Sequence, residues 1–101
     1  MIRVRFTESA EREIDLAWIW YEEQSVGLGR RLLEDIMDAR NRIAGFPHAW
    51  PQLGEDVRRF TLRRFPYGLV YIAAKNEAVV VGMGHLHRGP EFWQSMTRRR
   101  D

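Results

Sequence analysis

Two histidines, an arginine and a glutamate crowd one short stretch near the end of this 101-residue chain: His85, His87, Arg88 and Glu91. Such groups can cleave RNA through its 2′-hydroxyl. That reaction needs a base to take the hydroxyl proton, a cation to hold the phosphorane, and an acid for the leaving oxygen. His85, His87 or Glu91 suits the base or acid role, and Arg59, Arg63 or Arg88 can hold the charge. If the stretch is a strand, His85 and His87 point to one face, roughly 7 Å apart. A His-x-His pair can also hold zinc, but a site needs a third or fourth ligand. The chain has no cysteine and offers only His48 and scattered carboxylates, so no metal is expected. On the residues alone the simpler account is preferred: both imidazoles rim a sheet and meet a partner surface or water. There is no glycine-rich phosphate loop, nucleophile elbow, Ser/His/Asp set or cofactor motif, and no cofactor is expected.

Charge around these residues is one-sided. Net charge is only +2, and fifteen of the sixteen basic residues are Arg, Lys75 being the exception. Between Val57 and Arg88 the one acid is Glu77, against five Arg and Lys75, whereas eight acids fall between Glu8 and Asp35. A basic face on a small domain suits an anionic partner, either nucleic acid or an acidic protein. An ordinary solvated Arg face has the same composition.

A chain of this length has room for one domain and buries roughly two-thirds of its unfolded surface. With 45% hydrophobic residues it can form a core, which argues against disorder. Neither a signal-peptide core nor an apolar run near the roughly 18 residues of a membrane span is present. Together with the absence of cysteine, this leads us to expect a soluble cytoplasmic protein without a membrane partner.

The elements that must position the histidines can be read from periodicity. Ile2 to Phe6 alternates apolar with Arg, as a half-buried strand does. Thr7 can cap the following helix, with Glu8 and Glu11 at its positive end. Ala10, Ile14, Ala17, Trp18 and Tyr21 then recur at helical spacing, and Leu16, Ile19 and Trp20 widen the apolar stripe. After the break at Ser25–Gly29, a second helix is expected from about Gly29 to Ala44, stopped by Gly45 and Pro47. Pro47 to Asp56 reads as the main loop. Three antiparallel strands follow, over 57–64, 67–74 and 78–88, the last with Gly82 and Gly84 marking a bulge or close approach. Pro90 can start a short helix through Met96. The four tryptophans, Trp18, Trp20, Trp50 and Trp93, are expected in packing or partner docking rather than base stacking. The fold class is therefore α+β, in the order β-α-α-β-β-β with one curved sheet and a short C-terminal helix. The domain is expected over 1–97, with 98–101 a frayed basic tail.

In that order and length the chain resembles the RelE/ParE superfamily of small bacterial toxins, from Phe6-Thr7 through Trp93. The resemblance is carried by Val57-Arg58-Arg59, by Phe65-Pro66-Tyr67-Gly68-Leu69-Val70-Tyr71, and by His85-Leu86-His87-Arg88-Gly89-Pro90-Glu91-Phe92-Trp93. It implies a growth-inhibiting toxin of a type II toxin–antitoxin system, with a mobile C-terminal segment and a cognate antitoxin partner encoded beside it. RelE-like members cut mRNA in the ribosome and typically carry Arg, Arg and a proton-bearing group at positions that here look like Gly68, Leu86 and Phe92. None of these three can do that chemistry. The pattern instead resembles the ParE branch, whose members bind and poison DNA gyrase and are associated with plasmid stabilization. That branch implies a ParD-like antitoxin in a hetero-oligomer, and makes Arg59, Arg63, His85, His87 and Arg88 contacts to the target. In the alternative, a ribosome-dependent mRNA endonuclease, His85, His87, Arg88 and Glu91 would be catalytic. Trp18, Ile19 and Trp20 of the first helix and Leu33 and Met37 of the second form an apolar surplus on which an antitoxin can dock.

Overall fold

In the computed structural model, which describes all 101 residues, Thr7 is the joint between the first strand and the first helix. Strand β1 (Arg3–Phe6) ends there, and the Thr7 N–H donates to the Val80 carbonyl at 2.9 Å. Its hydroxyl accepts the Ala10 N–H at 3.2 Å, which caps helix α1 (Glu8–Gln24). A cap of this kind contributes about 1 kcal/mol. Helix α1 buries Ala10, Ile14 and Ala17, one stripe at helical spacing.

Helix α2 (Leu28–Gly45) has no side-chain cap of its own. Glu22, on α1, supplies one: its carboxylate accepts the N–H groups of Gly27 and Gly29, both at 3.0 Å. The negative charge lies at the positive end of the α2 dipole. Gly27 turns the chain at φ 91°, a left-handed conformation that favours glycine. Gly29 is needed for a different reason, because a Cβ there would stand 2.6 Å from the Trp18 indole nitrogen.

The sheet is mixed and open, with strand order β1-β5-β4-β3-β2. Its remaining strands are β2 (Gln52–Gly54), β3 (Val57–Thr61), β4 (Tyr67–Ala73) and β5 (Glu77–His85). β1 runs parallel to β5, with Arg3 opposite Glu77 and Phe6 opposite Val80, and every other pairing is antiparallel. Central β4 is apolar on both faces because both are covered. Helices α1 and α2 cover one face over Phe60, Leu69, Tyr71, Val80 and Met83. Helix α3 (Pro90–Met96) covers the other, placing Trp93 and Met96 over Val57, Val70, Val79 and Val81. Val70 pairs with Gly82 and Tyr71 with Val80, so Val81 is an extra residue that bulges β5.

The fold class matches the sequence expectation, and several boundaries move. The loop over 47–56 contains strand β2, too short to leave a periodic signal. β3 stops at Thr61 rather than Arg64, because buried Asp35 takes the N–H groups of Arg64 and Phe65, both at 2.9 Å, away from the ladder. β5 stops at His85 rather than Arg88, whose N–H turns back to the His85 carbonyl at 3.0 Å.

The basic tail is not wholly frayed. The Arg99 guanidinium makes two 3.0 Å hydrogen bonds to the Glu13 carboxylate and a third, also 3.0 Å, to the Val81 carbonyl. Glu13 in turn accepts the Met83 N–H at 3.1 Å. β1 has ended by this point, so the side chains of Glu13 and Arg99 satisfy a stretch of strand edge that lacks a neighbour. The folded unit therefore reaches Arg99.

Candidate functional site

The end of β5 forms a tip. His85 pairs with Tyr67 of β4, and their rings meet edge-on at 5.3 Å between centroids. Both side chains lie on the face that carries α1 and α2. His87 is not on the strand, as the sequence spacing implied, but in the turn that follows. Its N–H donates to His85 Nδ1 at 3.0 Å, and the two rings come to 4.8 Å. That bond occupies His85 Nδ1 and leaves Nε2 as the free ring nitrogen. The Arg88 guanidinium stacks on the Phe92 ring at 4.2 Å, and its carbonyl accepts the Trp93 indole N–H at 3.1 Å. Glu91 is exposed in the first turn of α3.

Beside the tip, α1 and the sheet enclose an open cleft of ≈ 330 Å³ lined by Leu16, Trp20, Tyr67, Met83, His85, Arg88 and Phe92, among others. Burial pushes the Tyr67 hydroxyl up to about 12, aided by a hydrogen bond with Tyr21 and that residue's charge. At neutral pH Tyr67 is an uncharged part of the wall.

Arg59 lies on the opposite face. Its guanidinium carbon is 4.7 Å from the centre of the Trp93 ring, and its stem crosses Gly68, where a Cβ would meet Arg59 Cδ at 2.8 Å. A Cβ at Gly84 would collide with the Phe92 ring. The two glycines let α3 settle onto the sheet. Arg63 stands elsewhere again, exposed beside Glu34, Asp35 and Asp38 of α2. Alternation along a strand over 57–64 would put Arg59 and Arg63 on one face, but β3 has ended before Arg63. The five candidate target contacts thus divide into the tip (His85, His87, Arg88), the α3 face (Arg59) and the α2 side (Arg63).

The apolar surplus of the helices also divides. Trp18 is half-buried against Gly29, while Ile19, Trp20, Leu33 and Met37 are 49%, 55%, 40% and 49% exposed. Leu33 and Met37 line a groove of ≈ 440 Å³ with Phe6, Ile14 and Ile36, rimmed by Glu11 and Asp15. Trp20 lines the tip cleft instead, together with Leu16, which is 63% exposed. Sequence reasoning did not join Leu16, Tyr67 and Phe92 to the site. The one available signal was the i, i+4 spacing of Leu16 and Trp20.

A family model described as the ParE toxin of the type II toxin–antitoxin system, parDE, matches residues 4–88. The chain belongs to the ParE toxin family. Membership implies an antitoxin partner. A chain of the chromosomal ParDE toxin–antitoxin system from P. aeruginosa superposes with a TM-score of 0.63 at 16% identity, covering 86% of this chain and 98% of that one. The isolated E. coli RelE toxin superposes with a TM-score of 0.64 at 19% identity, covering 97% of this chain and 98% of that one. At such identities the likenesses show a shared fold, which hosts more than one activity. No curated protein sequence matches the chain significantly. No helix of this ParE-family chain is long and apolar enough to cross a membrane.

Proposed function

We propose that this ParE-family toxin inhibits growth in the cytoplasm by binding and poisoning DNA gyrase, without catalysis of its own, and that a ParD-like antitoxin encoded beside it neutralises it. Plasmid stabilization is the role such a pairing would serve. The observation that supports the reading is that, of the three arginines that could hold a phosphate, only Arg88 shares the His85 cleft and it rests on the Phe92 ring, while Arg59 and Arg63 lie elsewhere. A nuclease must bring base, acid and phosphate-holding cation to one scissile bond. Here Arg59 stacks on Trp93 on one face, His85 faces α1 on the other, and α3 fills the space between Gly68 and Gly84. His85, His87 and Arg88 are then contacts to the target, with Arg59 and Arg63 peripheral to them. Trp18, Ile19, Trp20, Leu33 and Met37 serve the antitoxin, Trp18 by holding the helical hairpin in shape.

The mRNA-endonuclease reading has one observation in its favour, the clustering of His85, His87, Arg88 and Tyr67 at a single tip. A cleavage assay with purified gyrase and supercoiled DNA separates the two. Accumulation of cleaved DNA, abolished by the product of the adjoining gene, is the expected outcome. Inert toxin in the presence of active gyrase from the native host would move the weight to translating ribosomes.

A further inference from the structure

We infer that the basic seam where the β3–β4 connection meets the start of α2 holds the phosphodiester backbone of DNA, through Arg31 and Arg64 with Arg63 beside them. The inference rests on the gyrase reading above, and it gives the toxin a direct hold on the DNA that its target cuts.

An open recess of ≈ 620 Å³ lies there, with Arg31, Glu34 and Arg64 around an aromatic wall of Tyr21 and Phe65. A smaller one of ≈ 140 Å³ adjoins it, sharing Glu34 and Arg64 and adding Arg63. Both follow one seam because Asp35 ties the connection to α2 through the N–H groups of Arg64 and Phe65, each at 2.9 Å. Arg63 and Arg64 are thus presented from a backbone fixed before any partner arrives, which lowers the cost of binding.

The charge of the seam is set by subtraction. Arg31, Arg63 and Arg64 are all exposed, and none has a carboxylate partner. The acids beside them are engaged elsewhere. Glu34 pairs with Arg30 at 4.0 Å and Asp38 with Arg42 at 3.0 Å, while buried Asp35 is bound to the two backbone N–H groups. Arg30, Arg31, Arg42, Arg63 and Arg64 therefore stand against Glu34, Asp35 and Asp38, five positive charges against three negative. The surplus favours an anionic partner.

A guanidinium fork matches the oxygens of a phosphate, and several such groups along a seam position a backbone without reading its sequence. The smaller recess has no apolar lining, so a protein partner finds no anchor pocket in it. The location also suits DNA. Tyr21 meets Phe65 at 5.0 Å and Tyr67 at 6.1 Å between ring centroids, and the Pro66 carbonyl accepts the Leu86 N–H at 2.9 Å. The seam thus adjoins the His85 tip, and one docking event can serve both contacts.

The test follows the fluorescence anisotropy of a labelled duplex DNA of generic sequence with wild-type toxin and Arg31→Gln/Arg64→Gln. A control, Arg3→Gln/Arg98→Gln, removes the same charge from exposed arginines without carboxylate partners elsewhere. Thermal melts check folding, and Arg63→Gln/Arg64→Gln serves if the first variant does not fold. With three phosphate contacts, wild-type affinity should fall roughly fortyfold between about 50 and 200 mM salt, against roughly three- to fourfold for Arg31→Gln/Arg64→Gln. The control should keep the wild-type salt dependence. No DNA binding by wild type at about 50 mM salt, or equal losses in the two double variants, overturns the inference. Tighter binding to a duplex RNA of the same sequence assigns the seam to RNA and contradicts it. With gyrase, Arg31→Gln/Arg64→Gln should trap at least roughly tenfold less cleaved DNA than wild type, with unchanged affinity for gyrase free of DNA. Undiminished trapping by the folded variant also overturns the inference. A wild-type toxin that binds DNA as expected but traps none with active gyrase sinks the gyrase reading while the DNA site stands.

Discussion

Arg59 holds its guanidinium 4.7 Å from the centre of the Trp93 ring, on the face of the sheet turned away from His85. The contact joins β3 to α3 across Gly68 and keeps Arg59 out of the cleft that His85 shares with Arg88. Much of the chain's behaviour follows from how tightly α3 is seated.

Gly84→Ala should loosen that seat. The added methyl collides with the Phe92 ring and closes on the Trp93 ring, at 3.2 Å. Overpacking of this kind costs about 1–3 kcal/mol. Urea denaturation should register it, and Phe92→Ala in the same background should recover part of the loss.

Asp35→Ala should be among the most destabilising substitutions outside the apolar core. Asp35 is 4% exposed and accepts two backbone N–H groups, those of Arg64 and Phe65, tying α2 to the β3–β4 connection. Leaving both donors without a partner costs about 2–4 kcal/mol, from about 1–3 for each unsatisfied group and some relief by water. A loss below 0.5 kcal/mol, on the order of an exposed surface change, would mean that water replaces the carboxylate in full.

Arg99→Ala should cost about 1–2 kcal/mol, the scale of a charge-assisted pair that is partly exposed. It should also raise hydrogen exchange at the tip, because the Val81 carbonyl loses its donor and Glu13 is left with the Met83 N–H alone. Protection factors at Met83 and Gly84 that match wild type would show that the tail does not brace β5.

Stability should fall on the alkaline side. Burial pushes the Tyr71 hydroxyl up to about 12, partly offset by Arg58, and Tyr67 is raised to about 12 as well. Both groups hold their protons more tightly in the folded chain. Their contribution is complete below the unfolded value near pH 10 and is lost as pH rises toward 12, by about 2 kcal/mol for fully buried Tyr71. Tyr71→Phe should flatten that decline. It should also lower stability at neutral pH, since the hydroxyl donates to the Pro47 carbonyl at 2.6 Å.

The parts of this molecule legible in the sequence were those set by local periodicity. Thr7 with Glu8 and Glu11, the stripe through Ala10, Ile14 and Ala17, and the two-sided apolar run at Tyr67–Ala73 each specify an element and its burial. What escaped depends on contacts distant in the chain. Asp35 is followed only 29 residues later by the N–H that ends β3, and Glu13 meets Arg99 86 residues away. No window of sequence contains both partners. The site was half legible for the same reason. Residue types at the tip were plain, but whether Arg59 shares a face with Arg63 or with His85 is decided by where β3 stops and where α3 lies.

The most direct test of the central claim compares wild-type toxin and His85→Ala in two assays: trapping of cleaved DNA by purified gyrase, and cleavage of mRNA on translating ribosomes. The account predicts trapped DNA with both proteins, the variant within roughly tenfold of wild type as expected for one contact among several, and intact mRNA throughout. Cleaved mRNA with wild-type toxin, lost more than about a hundredfold in a correctly folded His85→Ala as general acid–base chemistry requires, would contradict it.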